Sequence, residues 1–167
     1  MKVLVVDDEP QIVRALRTAL RAHGHEVAAA SNGEDALAEA GTGAPDLIVL
    51  DLGLPDRDGT SVIRDLRGWS DVPVIVLSVR EGQAEKVAAL DAGADDYVTK
   101  PFGLDELLAR MRAARRRAAS QASPPAVLRF GELVIDVGRQ LVVLGDAPVH
   151  LTRTEPASTA DPFELMR

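Results

Sequence analysis

The feature that most constrains this chain is a repeated unit in its first two-thirds. A run of four apolar residues ends on an acid or a hydroxyl, and a stretch with helical spacing follows. Val3–Val6 runs into Asp7, Leu47–Leu50 into Asp51, and Val74–Leu77 into Ser78. Continuous apolar runs this short fit strands buried on both faces. Val27–Ala30 and Tyr97–Val98 supply two shorter ones. Between them, Pro10 opens a helix with Ile12, Val13, Leu16, Ala19 and Leu20 on one face and Gly24 as its stop. Ser31–Asn32 has cap chemistry for a short helix with Ala36, Leu37 and Ala40 that ends at Gly41. Residues 60–67, 83–92 and 104–117 repeat the helical spacing. Five strands alternating with five helices predict an α/β fold, a doubly wound five-stranded parallel sheet covered on both faces.

In such sheets ligands meet the loops beyond the carboxyl ends of the strands. Those positions hold Asp7-Asp8-Glu9, Asp51, Ser78 and Thr99-Lys100-Pro101. Packing does not require this set. Clustered carboxylates repel and stay ionised together only with a cation among them. An all-oxygen donor set selects a hard ion such as magnesium over zinc. A lysine opposite the acids suits an incoming phosphoryl group, and Ser78 can donate to the same oxygens. Asp51, at the tip of the central strand, is then placed to attack phosphorus. Taken alone, Asp7-Asp8 reads equally well as solvated loop acids; the whole set of strand-end positions weighs against that.

The runs VLVVDDEP, IVLDLGLPDRDG, VPVIVLS and AGADDYVTKPF resemble the receiver domain of two-component response regulators, with flavodoxin-like topology. DLGLPDRDG, IRDLRGWSDVPVIVLS and LDAGADDYVTKPFG are most similar to the OmpR/PhoB subfamily, in the branch that regulates the Kdp potassium-transport operon. The resemblance covers residues 2–117. It implies Asp51 as phosphoacceptor and Mg2+ held by Asp7, Asp8, Asp51 and the Gly53 carbonyl, Asp8 most directly. It also implies Ser78 as switch hydroxyl, Tyr97 as switch aromatic, Lys100 as phosphoryl-binding lysine, and a cis Lys100–Pro101 bond. The chain departs from the family at Val79, where Ala or Gly is usual. A β-branched side chain there narrows the path to Asp51 or slows attacking water.

Two rival readings fail on placement. Asp56-Arg57-Asp58-Gly59-Thr60 spells the DxDGT motif of haloacid-dehalogenase-type phosphatases, but Pro55 puts Asp56 in a loop, not at a strand end. A turn with Gly59 as its permissive residue is the better reading. A flavin-binding protein of the same fold needs hydroxyl- and glycine-rich phosphate loops where this chain has acids. Trp69 reads as packing, and His23, His25 and His150 lack metal-ligand spacing.

Composition narrows the setting. Apolar residues at 46% and charged ones at 27% exclude a wholly disordered chain. There is no cysteine, hence no disulfide framework and no thiolate chemistry. A net charge of −7 argues against non-specific nucleic-acid binding. Val3–Val6 is too short for a signal peptide or a membrane span, so a soluble cytoplasmic protein is expected.

Lys86, Asp91, Asp96, Glu106, Arg110 and Arg117 fall on the fourth helix, the fifth strand and the last helix. As single surface pairs they are worth about 0–1 kcal/mol each. The resemblance implies instead a two-fold dimer on phosphorylation, with Lys86–Glu106, Asp96–Arg110 and Asp91–Arg117 pairs crossing it. Its partners are a sensor histidine kinase and, in full-length relatives, DNA; no membrane partner is expected.

Residues 1–117 are thus expected as the receiver and 118–126, AASQASPPA, as a linker. Residues 127–167 read as short strands separated by Gly131, Gly138 and Gly145-Asp146. They resemble the strand platform that opens an OmpR/PhoB winged-helix domain, down to the HLTRTE that begins its first helix. Glu155-Pro156 and a tail without an apolar stripe come next, so the expectation is a truncated winged-helix domain without its recognition helix; a frameshift, a cloning-derived end or a natural truncation each accounts for it. Four arginines against six acids leave this segment no basic patch. The corresponding functional alternative is an output-deficient dimerisation module that sequesters kinase or partners without binding DNA. Turnover as an enzyme is not expected, because Asp51 takes and loses its own phosphoryl group.

Overall fold

The computed structural model describes residues 1–79 and 82–122 and, beyond them, strand residues 128–130, 133–136, 141–144 and 147–149. It divides into two compact units, Met1–Ala122 and Ser123–Arg167.

The first unit runs β1 (Lys2–Val6), α1 (Pro10–Ala22), β2 (Glu26–Ala30), α2 (Gly33–Gly43), β3 (Leu47–Asp51), α3 (Gly59–Arg67), β4 (Val74–Ser78), α4 (Gln83–Asp91), β5 (Asp96–Thr99) and α5 (Leu104–Ala122). The strands are all parallel and lie in the order β2-β1-β3-β4-β5. The doubly wound sheet read from the alternating pattern is therefore present.

Alternation along each strand splits the core in two. Leu4, Val6, Ile48, Leu50, Val74 and Val76 face α2, α3 and α4, meeting Ala36, Ala40, Val62, Ile63, Leu66 and Ala89. Val3, Val5, Leu47, Val49, Ile75 and Leu77 face α1 and α5, meeting Leu16, Leu20, Leu107 and Met111. Because β3 and β4 are buried at every position, they show no polar alternation in the sequence.

Two helix ends need correction. The helix expected to stop at Gly41 continues to Gly43 and ends at Ala44, in the left-handed region at φ 43°. Ala44 precedes Pro45, and a proline disfavours the right-handed helix for the residue before it; Gly41 alone did not end the helix. The last helix does not stop at Arg117 but runs to Ala122, into the stretch expected as linker. Alanine is the strongest helix former, so a small-residue composition there signalled helix. Trp69, read as packing, is half-exposed beyond α3, and its ring edge lies 3.9 Å from where a Cβ on Gly41 of α2 would stand.

In the second unit, β6 (Leu128–Phe130), β7 (Leu133–Asp136), β8 (Leu141–Leu144) and β9 (Ala147–Val149) form a sheet with antiparallel neighbours throughout. The HLTRTE helix start and the tail beyond it lie outside the described residues.

Candidate functional site

The carboxyl ends of β1, β3, β4 and β5 bring the expected residues to one edge of the sheet. Asp7 follows β1, Asp51 and Ser78 close β3 and β4, and Lys100 follows β5. The site lies where the strand order reverses, since the chain leaves β1 toward β2 on one side and β3 on the other.

Asp7 is held on every side. Its N–H donates to Ala30 O at 3.1 Å, Oδ1 accepts from the Glu9 N–H at 2.9 Å, and Oδ2 accepts from Lys100 Nζ at 2.8 Å. Lys100 Nζ also lies 3.4 Å from Glu9 Oε1 and 3.5 Å from Asp51 Oδ2. Its backbone is pinned by an N–H to Ser78 O bond at 2.8 Å, and the Lys100–Pro101 peptide is cis. Asp7, Asp51 and Ser78 are buried polar side chains, whereas Asp8 is exposed.

One carboxylate oxygen from each of Asp7, Asp8 and Asp51 comes within 4.8 Å of the others. These are hard oxygen donors with a net negative charge, a set that fits a magnesium-sized ion. Gly53 lies against them: its N–H bonds to the Asp51 carboxylate, as does that of Leu52, and a Cβ on it would stand 3.5 Å from Asp51 Oδ2.

The electrostatics follow from burial and crowding. Burial, helped by the neighbouring Asp7 charge, pushes the Asp51 carboxyl above its ordinary value, against the pull of Lys100 and the two N–H groups. Burial alone would lower Lys100, but its hydrogen bond to Asp7 and the charges of Asp51, Asp7 and Glu9 outweigh it and raise the ammonium. The lysine is therefore the cation that lets buried acids coexist.

Tyr97 is buried in the core against the α2–α4 face. Val79, expected to narrow the path to Asp51, is 68% exposed. Gly59 also needs a correction: it is the first residue of α3, and the demand it meets is close approach, not an unusual backbone angle. A Cβ there would sit 2.7 Å from Asp51 O and Leu52 Cα. The same loop holds a role that sequence reading missed. Asp56 accepts from the N–H groups of Gly33 at 2.8 Å and Glu34 at 3.0 Å, tying the start of α2 to the loop beyond Asp51. These N–H bonds, Gly33's foremost, hold the Asp56 carboxyl below its ordinary value. The Asn32 side chain caps this helix locally but takes only the Asp35 N–H, at 2.8 Å, which leaves the Gly33 and Glu34 N–H groups to Asp56.

On the α4–β5–α5 face, the pairing differs from the one implied between protomers. Arg110 bonds within its own chain, to Asp96 at 3.0 Å and Glu106 at 2.8 Å, and Arg117 donates to Asp95 O at 3.2 Å. Lys86 and Asp91 make no ion pair among the described residues. Val87 and Leu90 stand exposed beside them on α4. No helix of the described residues is long and apolar enough to cross a membrane.

Residues 3–112 match the family model described as the response regulator receiver domain. The chain is 52% identical over 153 residues to the KDP operon transcriptional regulatory protein KdpE of Escherichia coli K12, covering 92% of this chain and 68% of that protein. It is 54% identical over 155 residues to the transcriptional regulatory protein KdpE of Mycobacterium tuberculosis CDC 1551, with the same coverage. Among solved structures, the Francisella response regulator 1452 receiver domain superposes with a TM-score of 0.66 at 38% identity, covering 70% of this chain and 97% of that one.

Proposed function

Because the chain belongs to the response regulator receiver domain family, we propose that it is a two-component response regulator of the KdpE type whose Asp51 accepts a phosphoryl group from the phosphohistidine of a sensor kinase. The observation that carries this is the placement of Asp51 within reach of both Lys100 Nζ, at 3.5 Å, and the Asp7–Asp8 carboxylates.

In the transfer, an Asp51 carboxylate oxygen bonds to phosphorus as the N–P bond breaks and the imidazole leaves with the electron pair. Lys100, held by Asp7, faces the oxygens of the incoming group, and Ser78 donates to them. Asp7, Asp8, Asp51 and the Gly53 carbonyl would hold Mg2+, which supplies charge neutralisation at the phosphoryl oxygens. Exposure of Asp8 suits it to reach the ion most directly. Tyr97, already buried in the core, couples Ser78 to the α4–β5–α5 face, where a homodimer forms. The exposed Val87 and Leu90 support that face as the contact.

Residues 127–167 are proposed as the strand platform of an OmpR/PhoB output domain. The antiparallel order β6-β7-β8-β9 supports this, as does a likeness to transcriptional regulators that covers 92% of the chain.

The test is intact-mass measurement after incubation with an acyl phosphate and Mg2+. One phosphoryl addition is expected on the wild type and none on Asp51→Asn. Equal labelling of the variant overturns the assignment.

A further inference from the structure

Beside the acid cluster, a groove of about 340 Å³ opens between α1 and the β2–α2 corner. Asp8 stands at one end, Val13, Arg14 and Arg17 form the α1 wall, and Ser31 and Asp35 face it. Arg14 and Arg17 are three apart and share one helix face. Neither makes an ion pair or a side-chain hydrogen bond among the described residues, although three acids, Asp7, Asp8 and Asp35, line the same groove. Arg17 Nε is moreover buried and has no acceptor. A buried donor is rarely left without a partner in a folded protein. Two unpaired guanidinium forks on one wall, one with an orphaned buried N–H, lack only an oxyanion.

We propose that this groove is a second anion site, in which Arg14 and Arg17 bind the phosphate of a small phosphorylated molecule. The site adjoins the acid cluster through Asp7 and Asp8, which line the groove, but it uses neither Lys100 nor Asp51. A tetrahedral dianion suits it better than a carboxylate, because two forks can then each take a pair of oxygens. A cation at Asp7–Asp8 would relieve the repulsion between the bound anion and Asp8. The two sites are thereby linked, and each ligand raises the affinity for the other.

The experiment is a titration of the full chain with inorganic phosphate in magnesium buffer, followed by the Arg17 Nε–Hε resonance, with acetate as a parallel arm. A saturable shift is expected with phosphate, at an affinity about tenfold or more above acetate's. Arg17→Lys keeps the charge but loses Nε, and Arg14→Gln removes the second fork; each should weaken phosphate binding, read by calorimetry, about tenfold. Arg64→Gln, which removes an exposed arginine of α3 that does not line the groove, should leave it unchanged. An Arg17 signal that does not move, acetate binding as tightly as phosphate, or a loss in Arg64→Gln equal to that in Arg17→Lys would each overturn the proposal. The proposal does not depend on the phosphoacceptor reading, whose failure would show in the mass of the labelled protein.

Discussion

Lys100 Nζ donates to Asp7 Oδ2 at 2.8 Å, joining residues 93 apart in sequence, while Asp51 Oδ2 lies farther off at 3.5 Å. Both side chains of the pair are nearly buried, Asp7 at 2% and Lys100 at 8% exposed. The resting lysine is thus bonded to an acid proposed to hold the metal, and only near the acid proposed to carry phosphate. Its charge stabilises the cluster and opposes a second cation there.

That arrangement predicts opposite effects of Lys100→Gln on two measurements. Magnesium affinity should rise severalfold, because a competing positive charge within about 4 Å has gone. Phosphorylation by an acyl phosphate should slow by about a hundredfold or more, since one of the groups that neutralise the transferred oxygens is lost. Calorimetric titration and timed intact-mass measurement separate the two. A weaker magnesium affinity would show that the lysine supports the metal and does not compete with it.

Asp7 and Asp8 are adjacent in sequence but should behave differently. Asp8→Ala removes an exposed carboxylate, so magnesium binding should weaken by about tenfold or more. Its stability should stay within about 0.5 kcal/mol of wild type. Asp7→Ala leaves a buried ammonium without its hydrogen-bond partner and should cost about 1–3 kcal/mol as well as metal affinity. Urea denaturation in metal-free buffer decides, and equal stability of the two variants would contradict the burial argument.

Asp51 should cost the folded protein stability. Its carboxyl is pushed up by burial, so the folded state binds more protons than the unfolded chain between the two values. Stability therefore falls as pH rises through that window. The penalty is complete above the folded value and absent below the ordinary 3.8. Asp51→Asn, in chelator, should gain about 0.5–2 kcal/mol at neutral pH, and the gain should shrink as the pH is lowered toward 3.8. A gain independent of pH would point to packing instead of charge.

How far the sequence reveals this site depends on the range of each interaction. Strand-end residues such as Asp51 and Lys100 are legible because a buried parallel strand is a continuous apolar run, and the residues that close it must lie at the sheet edge. The Asp56 cap on α2 is not legible, since the donors and the acceptor are 23 and 22 residues apart and only the folded loop joins them. Gly59 looked like a turn residue because crowding by the Asp51 and Leu52 backbone leaves no local mark. The α5 end was misread because Ala118–Ala122 serves equally as linker composition and as helix, and only Pro124-Pro125 punctuates it.

The in-chain Arg110–Asp96 pair sharpens the dimer test. Reversing both charges in one chain would restore a pair within a protomer and a pair between protomers alike, so rescue by the double variant decides nothing. Mixing two single variants does. In a heterodimer of Arg110→Glu with Asp96→Arg, both crossed contacts between protomers become attractive, while the contact within each protomer stays repulsive. If the crossed pairs hold the dimer, each phosphorylated variant alone should sediment mainly as monomer, and their mixture should recover dimer. The expected recovery is modest, because each pair is worth about 0–1 kcal/mol at an exposed site, and two pairs at the upper limit amount to roughly a tenfold to thirtyfold change in dimer constant. It should also fade at high salt, where exposed charges are screened. A mixture no more dimeric than its components would leave Arg110 as a brace for β5 and α5 inside one chain, with the dimer resting on Val87 and Leu90.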